Sequence, residues 1–109
     1  MSHSLLRFYV HEGQRCGGRP LWEWLLAEAN RAGLSGGSAF RAMAGFGRHH
    51  RLHEDRFFEL AGSVAVEVEF LVDEADAARL LALVEAQKVR VFYVRLPAEV
   101  GVLNPDATG

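Results

Sequence analysis

Cysteine is almost absent from this chain, since Cys16 is the single cysteine among 109 residues. One cysteine excludes a disulfide within the chain and a zinc site built from several of its cysteines, which is typical of a reducing, cytoplasmic setting. Cys16 stands among three glycines, so a loop is expected there. The sequence indicates no environment that would lower the pKa of its thiol, and we interpret Cys16 as an incidental small residue rather than a reactive one.

Long apolar runs and a strong excess of one charge are also missing. The longest apolar run is far short of the roughly 20 residues that span a bilayer, and the N-terminus lacks the layout of a signal peptide. Twelve basic residues stand against 14 acidic ones, a formal net charge of −2. No general attraction to nucleic acid or anionic lipid follows from that balance. We expect a soluble, cytoplasmic protein that does not bind nucleic acid.

Catalytic motifs are lacking as well. No Ser or Cys occupies a recognisable nucleophile turn, and neither a zinc-peptidase helix motif nor a phosphate loop ending in Lys-Ser or Lys-Thr is present. Glu67 and Glu69 share one face of a predicted strand, but arginines expected opposite them favour a structural role over acid–base chemistry. We therefore expect no catalytic residues, no cofactor and no enzymatic activity.

The chain does contain enough apolar material for one core. Half of its residues, 50%, are hydrophobic, and its length is in the commonest range for a single domain. We predict one domain over residues 1–109, with its core at about 5–96 and a C-terminal extension and tail at 97–109.

Alternating apolar residues predict four strands. The alternation is strictest over 64–73, where Val or Phe occupies every second position. Similar alternation predicts strands at 5–11 and 38–46, and the β-rich stretch 89–96 predicts the fourth.

Two amphipathic helices lie between these strands. The first is expected to start at Pro20 and stop at Gly33, and the second contains an apolar stripe over 77–84 with Asp73 or Asp76 as its N-cap. The resulting βαββαβ order predicts a ferredoxin-like α+β fold, in which two helices cover one face of an antiparallel four-stranded sheet.

The opposite face of this sheet is predicted to be mixed in character. The expected topology places the third strand between the first and second. Alternation then puts four charged residues on the uncovered face, namely Arg7, Arg41, Glu67 and Glu69. Opposite charges favour cross-strand pairing, and Tyr9, Met43 and Leu71 are interleaved with them. The face is either an ordinary solvated one or an interface. Trp24 falls outside the buried arc of its helix, which predicts a second contact surface.

The most informative stretch follows the second strand. Residues 45–50 read Gly-Phe-Gly-Arg-His-His, and 48–56 carry three Arg, three His, one Glu and one Asp. The glycines let the backbone approach a ligand closely, and a guanidinium beside exposed amides suits an oxyanion. Two interpretations stay open: an anion site followed by a mobile recognition loop, or a Gly-rich bend with a solvated charged loop.

Metal binding is an alternative for the same loop. His49 and His53 are four residues apart, His50 and His53 three apart, and Glu54 and Asp55 follow. Borderline cations accept such ligands, but the spacing brings them together only in a helix, which no apolar stripe supports. Three arginines also repel a cation. We predict no metal site, and the histidines could instead sense pH or bind a phosphate.

Several segments resemble PII signalling proteins. Ala32-Gly33-Leu34-Ser35-Gly36, followed by a strand and then Gly45-Phe46-Gly47-Arg48, resembles that family. The opening 6–10, the helix start Gly18-Arg19-Pro20-Leu21 and Arg51-Leu52-His53 resemble more closely its PII-like branch, the domain of unknown function 190. The resemblance covers the predicted core. It implies a homotrimer in which three sheets pack inward around a threefold axis.

The resemblance also implies a ligand, an adenine nucleotide or another small phosphometabolite, in clefts between subunits. Gly45 and Gly47 would be close-approach backbone, Arg48 a phosphate or loop-base residue, and His49 stands where the family usually has a glutamine. The family's second phosphate loop is absent, because 85–89 passes almost directly from helix to strand.

A neighbouring subunit would therefore supply part of the phosphate contacts, through its Lys88, Arg90 and Arg95. The loop residues expected to meet a protein partner are His50, Arg51, His53, Glu54 and Arg56. A membrane transporter or channel is the implied partner. The competing hypotheses are a metal-binding trimer resembling copper-tolerance proteins and an interaction module that binds no ligand.

Overall fold

The computed structural model describes residues 3–46, 53–54 and 65–108. The strands are β1 (His3–His11), β2 (Arg15–Cys16), β3 (Arg19–Pro20), β4 (Gly37–Arg41), β5 (Ala44–Gly45), β6 (His53–Glu54), β7 (Ala65–Asp73) and β8 (Phe92–Ala98). The helices are α1 (Leu21–Arg31) and α2 (Glu74–Ala86). The four long strands and two helices follow the order βαββαβ, so the ferredoxin-like α+β fold is confirmed.

The four long strands form one antiparallel sheet in the order β4-β7-β1-β8. As predicted, β7 lies between β1 and β4. Directly opposite residues share a face of the sheet, so the pairs Leu6–Phe70 and Phe8–Val68 bring apolar side chains together on the helix side. The buried apolar residues of the two central strands are Leu6, Phe8, Val10, Val66, Val68, Phe70 and Val72.

Local hydrogen bonds cap one end of each helix. At the end of α1, the amide of Leu34 donates to the Ala29 carbonyl at 3.0 Å and the amide of Gly33 to that of Asn30 at 3.1 Å. This is a Schellman motif, and it needs the positive φ of 87° that Gly33 adopts. At the start of α2, Asp73 Oδ1 accepts from the amide of Asp76 at 2.8 Å, so Asp73 is the N-cap.

The prediction that Trp24 marks an exposed contact surface is wrong. Trp24 is 8% exposed, because the short β2–β3 hairpin lies against the same helix. A Cβ built on Gly17 of that hairpin would lie 3.6 Å from Trp24 Cδ1. The predicted arc counted only the surface that faces the sheet, whereas the hairpin gives α1 a second packing surface.

The predicted face assignment in the second long strand is also wrong. Arg41 lies opposite Val66, on the helix side, and Phe40 lies opposite Glu67, on the uncovered side. The cause is the Phe70 ring, since a Cβ on Gly37 would lie only 2.5 Å from Phe70 Cε1. The helix side of β4 therefore has no room for a large side chain at Gly37, so Gly37 and Ala39 lie there, Arg41 takes that side at the end of the strand, and Phe40 takes the other face.

Two strands have other limits than predicted. The expected strand 38–46 ends at Arg41, although the Ala42 amide still donates to the Ala65 carbonyl at 2.9 Å, and a separate β5 follows. The fourth long strand is Phe92–Ala98 rather than 89–96, because a turn at Gln87 and Lys88 comes first. Residue 64, expected to open the third strand, lies outside the described residues. Neither of the two described helices is long and apolar enough to cross a bilayer.

Candidate functional site

One end of the sheet gathers the described part of the predicted ligand site. Because the sheet is antiparallel, β1 and β4 end where β7 and β8 begin. Gly45 follows β4 at this end, and Lys88 and Arg90 precede β8 there. The other predicted site residues, Gly47, Arg48, His49, His50, Arg51 and Arg56, lie outside the described residues, and His53 and Glu54 are described only by their backbone.

The predicted loop begins as a two-stranded ladder. Gly45 in β5 pairs with His53 in β6, and Ala44 pairs with Glu54. A Cβ on Gly45 would meet no described atom within 4 Å. Within residues 3–46, 53–54 and 65–108, no atom therefore fills the space beside the Gly45 backbone, as a close-approach glycine requires.

Lys88 has an unusual backbone conformation for a residue with a side chain. Its φ is 60°, and its amide donates to the Glu85 carbonyl at 3.2 Å, so it takes the left-handed position after α2 that glycine normally occupies. Such a conformation costs about 1 kcal/mol or more. Both Lys88 and Arg90 are exposed, and they present two cations on an irregular segment.

These cations and Gly45 lie at opposite edges of the sheet. β4 and β8 are the two edge strands, and three strand spacings of about 4.8 Å, or about 14 Å, separate them. Gly45 follows one edge strand, and the two cations precede the other.

An apolar cavity of about 340 Å³ adjoins the Lys88–Arg90 segment. Its lining residues are Phe8, Leu81, Val84, Glu85, Val89, Val91 and Tyr93. An aromatic ring fits such a surface, while the adjacent cations suit a phosphate. Sequence reasoning missed this cavity; the only signal was the alternation of Val89 and Val91 with basic residues.

The uncovered sheet face carries an ion cluster at its centre. Arg7 Nε lies 2.7 Å from Glu69 Oε2 and 3.7 Å from Glu67 Oε1, and Arg7 Nη1 donates to the Tyr9 hydroxyl at 3.3 Å. The predicted pairing of Arg7 with both glutamates is confirmed. The hydrogen bonds to Tyr9 and Glu69 raise the pKa of Arg7, which is charged in any case. Arg41 instead lies 3.5 Å from Glu12.

Apolar side chains surround this ion cluster. Phe92 is 68% exposed and Phe40 53% exposed, and the Phe92 and Tyr9 rings lie 5.5 Å apart between centroids. Leu71 and Leu96, both opposite Leu5, are exposed as well. Large exposed apolar patches with few charges are typical of protein interfaces. Sequence reasoning found the charges but missed Phe40 and Phe92.

Two other features bear on the chemistry. Cys16 is buried in β2, and its thiol lies 3.6 Å from Gln87 Oε1. Burial raises the pKa of that thiol, in keeping with an unreactive cysteine. Among the residues described in 3–46, 53–54 and 65–108, no three His, Cys, Asp or Glu side chains gather as a metal site, and the loop histidines fall outside that search.

Known proteins share this architecture. The sequence matches the family model DUF190, described as "Uncharacterized ACR", over residues 3–100. It is 32% identical over 99 residues to a "UPF0166 protein" of Aquifex aeolicus (strain VF5), a match that covers 84% of this chain and 94% of that protein.

The structure is similar to that of CPII, "a nitrogen regulatory PII-like protein from Thiomonas intermedia K12", which was solved bound to ADP, AMP and bicarbonate. The TM-score is 0.56 and the sequence identity 18%, over 90% of this chain and 89% of CPII. At that identity the likeness shows the fold, which is that of a PII-like protein.

Proposed function

The chain belongs to the DUF190 family and has a PII-like fold, and we propose on this basis that it is a trimeric PII-like regulator. It binds a small anionic ligand, such as an adenine nucleotide, in clefts between subunits. It then presents the loop at 48–56 to a protein partner.

The observation that carries the proposal is the uncovered sheet face. Phe40 and Phe92 expose more than half of their surface there, around a half-buried Arg7–Glu69 pair. Water is a poor environment for so much apolar area. Three copies that pack these faces inward around a threefold axis bury all of them at once.

The ligand would lie where two subunits meet. Gly45 and the Lys88–Arg90 segment lie toward opposite edges of one sheet, and a neighbouring copy brings a second set of both to the cleft. CPII was solved with ADP, AMP and bicarbonate, two of which combine an aromatic base with phosphate. The cavity beside Val89 and Val91 and the two cations suit that combination.

The remaining loop residues complete the proposal. Gly47, Arg48 and His49 contact the ligand together with Gly45. The protein acts in the cytoplasm, where its loop meets a partner, a membrane transporter or channel. The loop side chains that contact this partner are those of His50, Arg51, His53, Glu54 and Arg56. A ligand that binds one loop conformation better than another changes the loop population that the partner meets.

A thermal-shift panel of ADP, AMP, bicarbonate and divalent metal ions tests the ligand. Ligand at 100 times its Kd stabilises the folded state by about 2.7 kcal/mol, which for a chain of this length raises Tm by about 10 °C. Arg48→Ala should reduce the nucleotide shift and leave the Tm of the ligand-free protein nearly unchanged. A shift with metal ions alone would favour a metal-binding trimer, and no shift at all would leave only an interaction module.

A further inference from the structure

The turn between β1 and β2 contacts both segments of the candidate ligand site. We define turn 11–16 as His11 to Cys16. Its backbone is anchored at both ends, because the Gln14 amide donates to the His11 carbonyl at 3.0 Å and the Leu21 amide donates to the Gln14 carbonyl at 2.7 Å. The Gln14 side chain therefore extends from a fixed base between the end of β1 and the start of α1.

On one side, turn 11–16 holds the segment that carries the two cations. Gln14 Nε2 donates to the Arg90 carbonyl at 2.9 Å, and the Cys16 thiol donates to Gln87 Oε1 at 3.6 Å. Residues 87–91 lie between the end of α2 and the start of β8, outside the ladder of the sheet. The turn thus holds the Arg90 carbonyl and the Gln87 side chain, on either side of the left-handed Lys88, whose own amide is held by the Glu85 carbonyl.

On the other side, the same turn reaches the strand that leads to Gly45. Glu12 Oε2 lies 3.5 Å from Arg41 Nε, and Arg41 is the last residue of β4. The Ala42 amide next to it donates to the Ala65 carbonyl at 2.9 Å. The β4–β5 corner, residues 41–44, and the segment 87–90 are at opposite sheet edges, and turn 11–16 lies between them.

We propose that Gln14 is a positioning residue for the Lys88–Arg90 segment, and that turn 11–16 couples this segment to the β4–β5 corner of the same chain. A ligand on Lys88 and Arg90 would then stiffen the corner from which the partner loop leaves. The effect of a ligand, which we call the ligand half of this inference, rests on the proposed function. The positioning and coupling by turn 11–16, its mechanical half, rest on the contacts alone.

Amide hydrogen exchange in the ligand-free Gln14→Leu variant tests the mechanical half. The variant keeps the bulk of the side chain and loses both the donor to the Arg90 carbonyl at 2.9 Å and the acceptor for the His11 amide at 3.4 Å. Loss of the hydrogen bond to Arg90 should speed exchange of the Lys88 amide about fivefold. The Ala42 amide should exchange about twofold faster, because the exposed Glu12–Arg41 pair transmits little. The Asp76 amide at the far end of α2 should not change.

Two further variants separate positioning from general stability. Asn30→Leu removes an amide side chain that has no hydrogen bond in the described part of the chain, and it should change none of the three amides. Gln14→Glu keeps the length of the side chain, but its carboxylate cannot donate a hydrogen bond once ionised. It should therefore speed exchange of the same amides, and it replaces Gln14→Leu in the test if that variant fails to fold. Equal acceleration at Lys88 and Asp76, or an unchanged Lys88 amide, would overturn the positioning role. An unchanged Ala42 amide would overturn the coupling.

ADP titration distinguishes this inference from the proposed function. If the natural chain binds ADP, Gln14→Leu should weaken binding about fivefold with a Tm about 4 °C lower, and equal affinity would refute the positioning of the ligand segment. If the natural chain does not bind ADP, the nucleotide proposal fails, while the exchange data still decide whether turn 11–16 is a coupling element.

Discussion

Gly37→Ala tests the packing that decides which face of β4 is buried. A Cβ at this position would lie 2.5 Å from Phe70 Cε1, 2.7 Å from Phe70 Cδ1 and 3.2 Å from Leu26 Cδ2. Phe70 is 1% exposed, so its ring cannot swing into solvent to make room. Overpacking of this kind costs about 1–3 kcal/mol, and for a chain of this length that lowers Tm by about 4–12 °C.

The neighbouring glycine supplies a matched control. A Cβ on Gly36 would meet no described atom within 4 Å, so Gly36→Ala should leave stability unchanged or raise it by up to about 1 kcal/mol through the unfolded state. Urea unfolding at one protein concentration compares the two variants, because an oligomer's stability depends on concentration.

A second substitution locates the clash. In Gly37→Ala/Phe70→Leu the smaller side chain makes room for the new methyl group, so the double variant should lose less stability than the sum of the single losses. If Gly37→Ala and Gly36→Ala were equally stable, the Gly37 side of β4 would face solvent. The assignment of Phe40 to the uncovered face would then be refuted.

Two further predictions concern the cations and the sheet face. Lys88→Gly should stabilise the protein by about 1 kcal/mol, since glycine adopts a positive φ without strain, and should weaken ADP binding in a titration; a loss of stability would contradict the strained conformation. Phe92→Lys should convert a trimer into monomers by light scattering, because it places a charge in a desolvated interface, whereas Ala82→Lys on the exposed side of α2 should leave the mass unchanged. A monomeric natural chain at micromolar concentration would refute the trimer itself.

Local patterns were sufficient for the order of the long strands and helices and for some of their ends. Period-two alternation in β7, the Asp73 cap of α2 and the Gly33 stop of α1 are all properties of a short stretch of chain. The Arg7–Glu67–Glu69 cluster was also predictable, because β7 and β1 alternate strictly and the topology places them side by side.

Tertiary packing decided which face each less regular segment buries. Alternation in β4 indicates two faces but does not choose between them, and the choice came from Phe70, 33 positions away from Gly37 in sequence, whose ring occupies the helix side. Trp24 is buried because the β2–β3 hairpin folds onto α1. The contact between Gln14 and Arg90 joins residues 76 positions apart. No local pattern encodes such contacts, because they depend on the space that distant side chains leave.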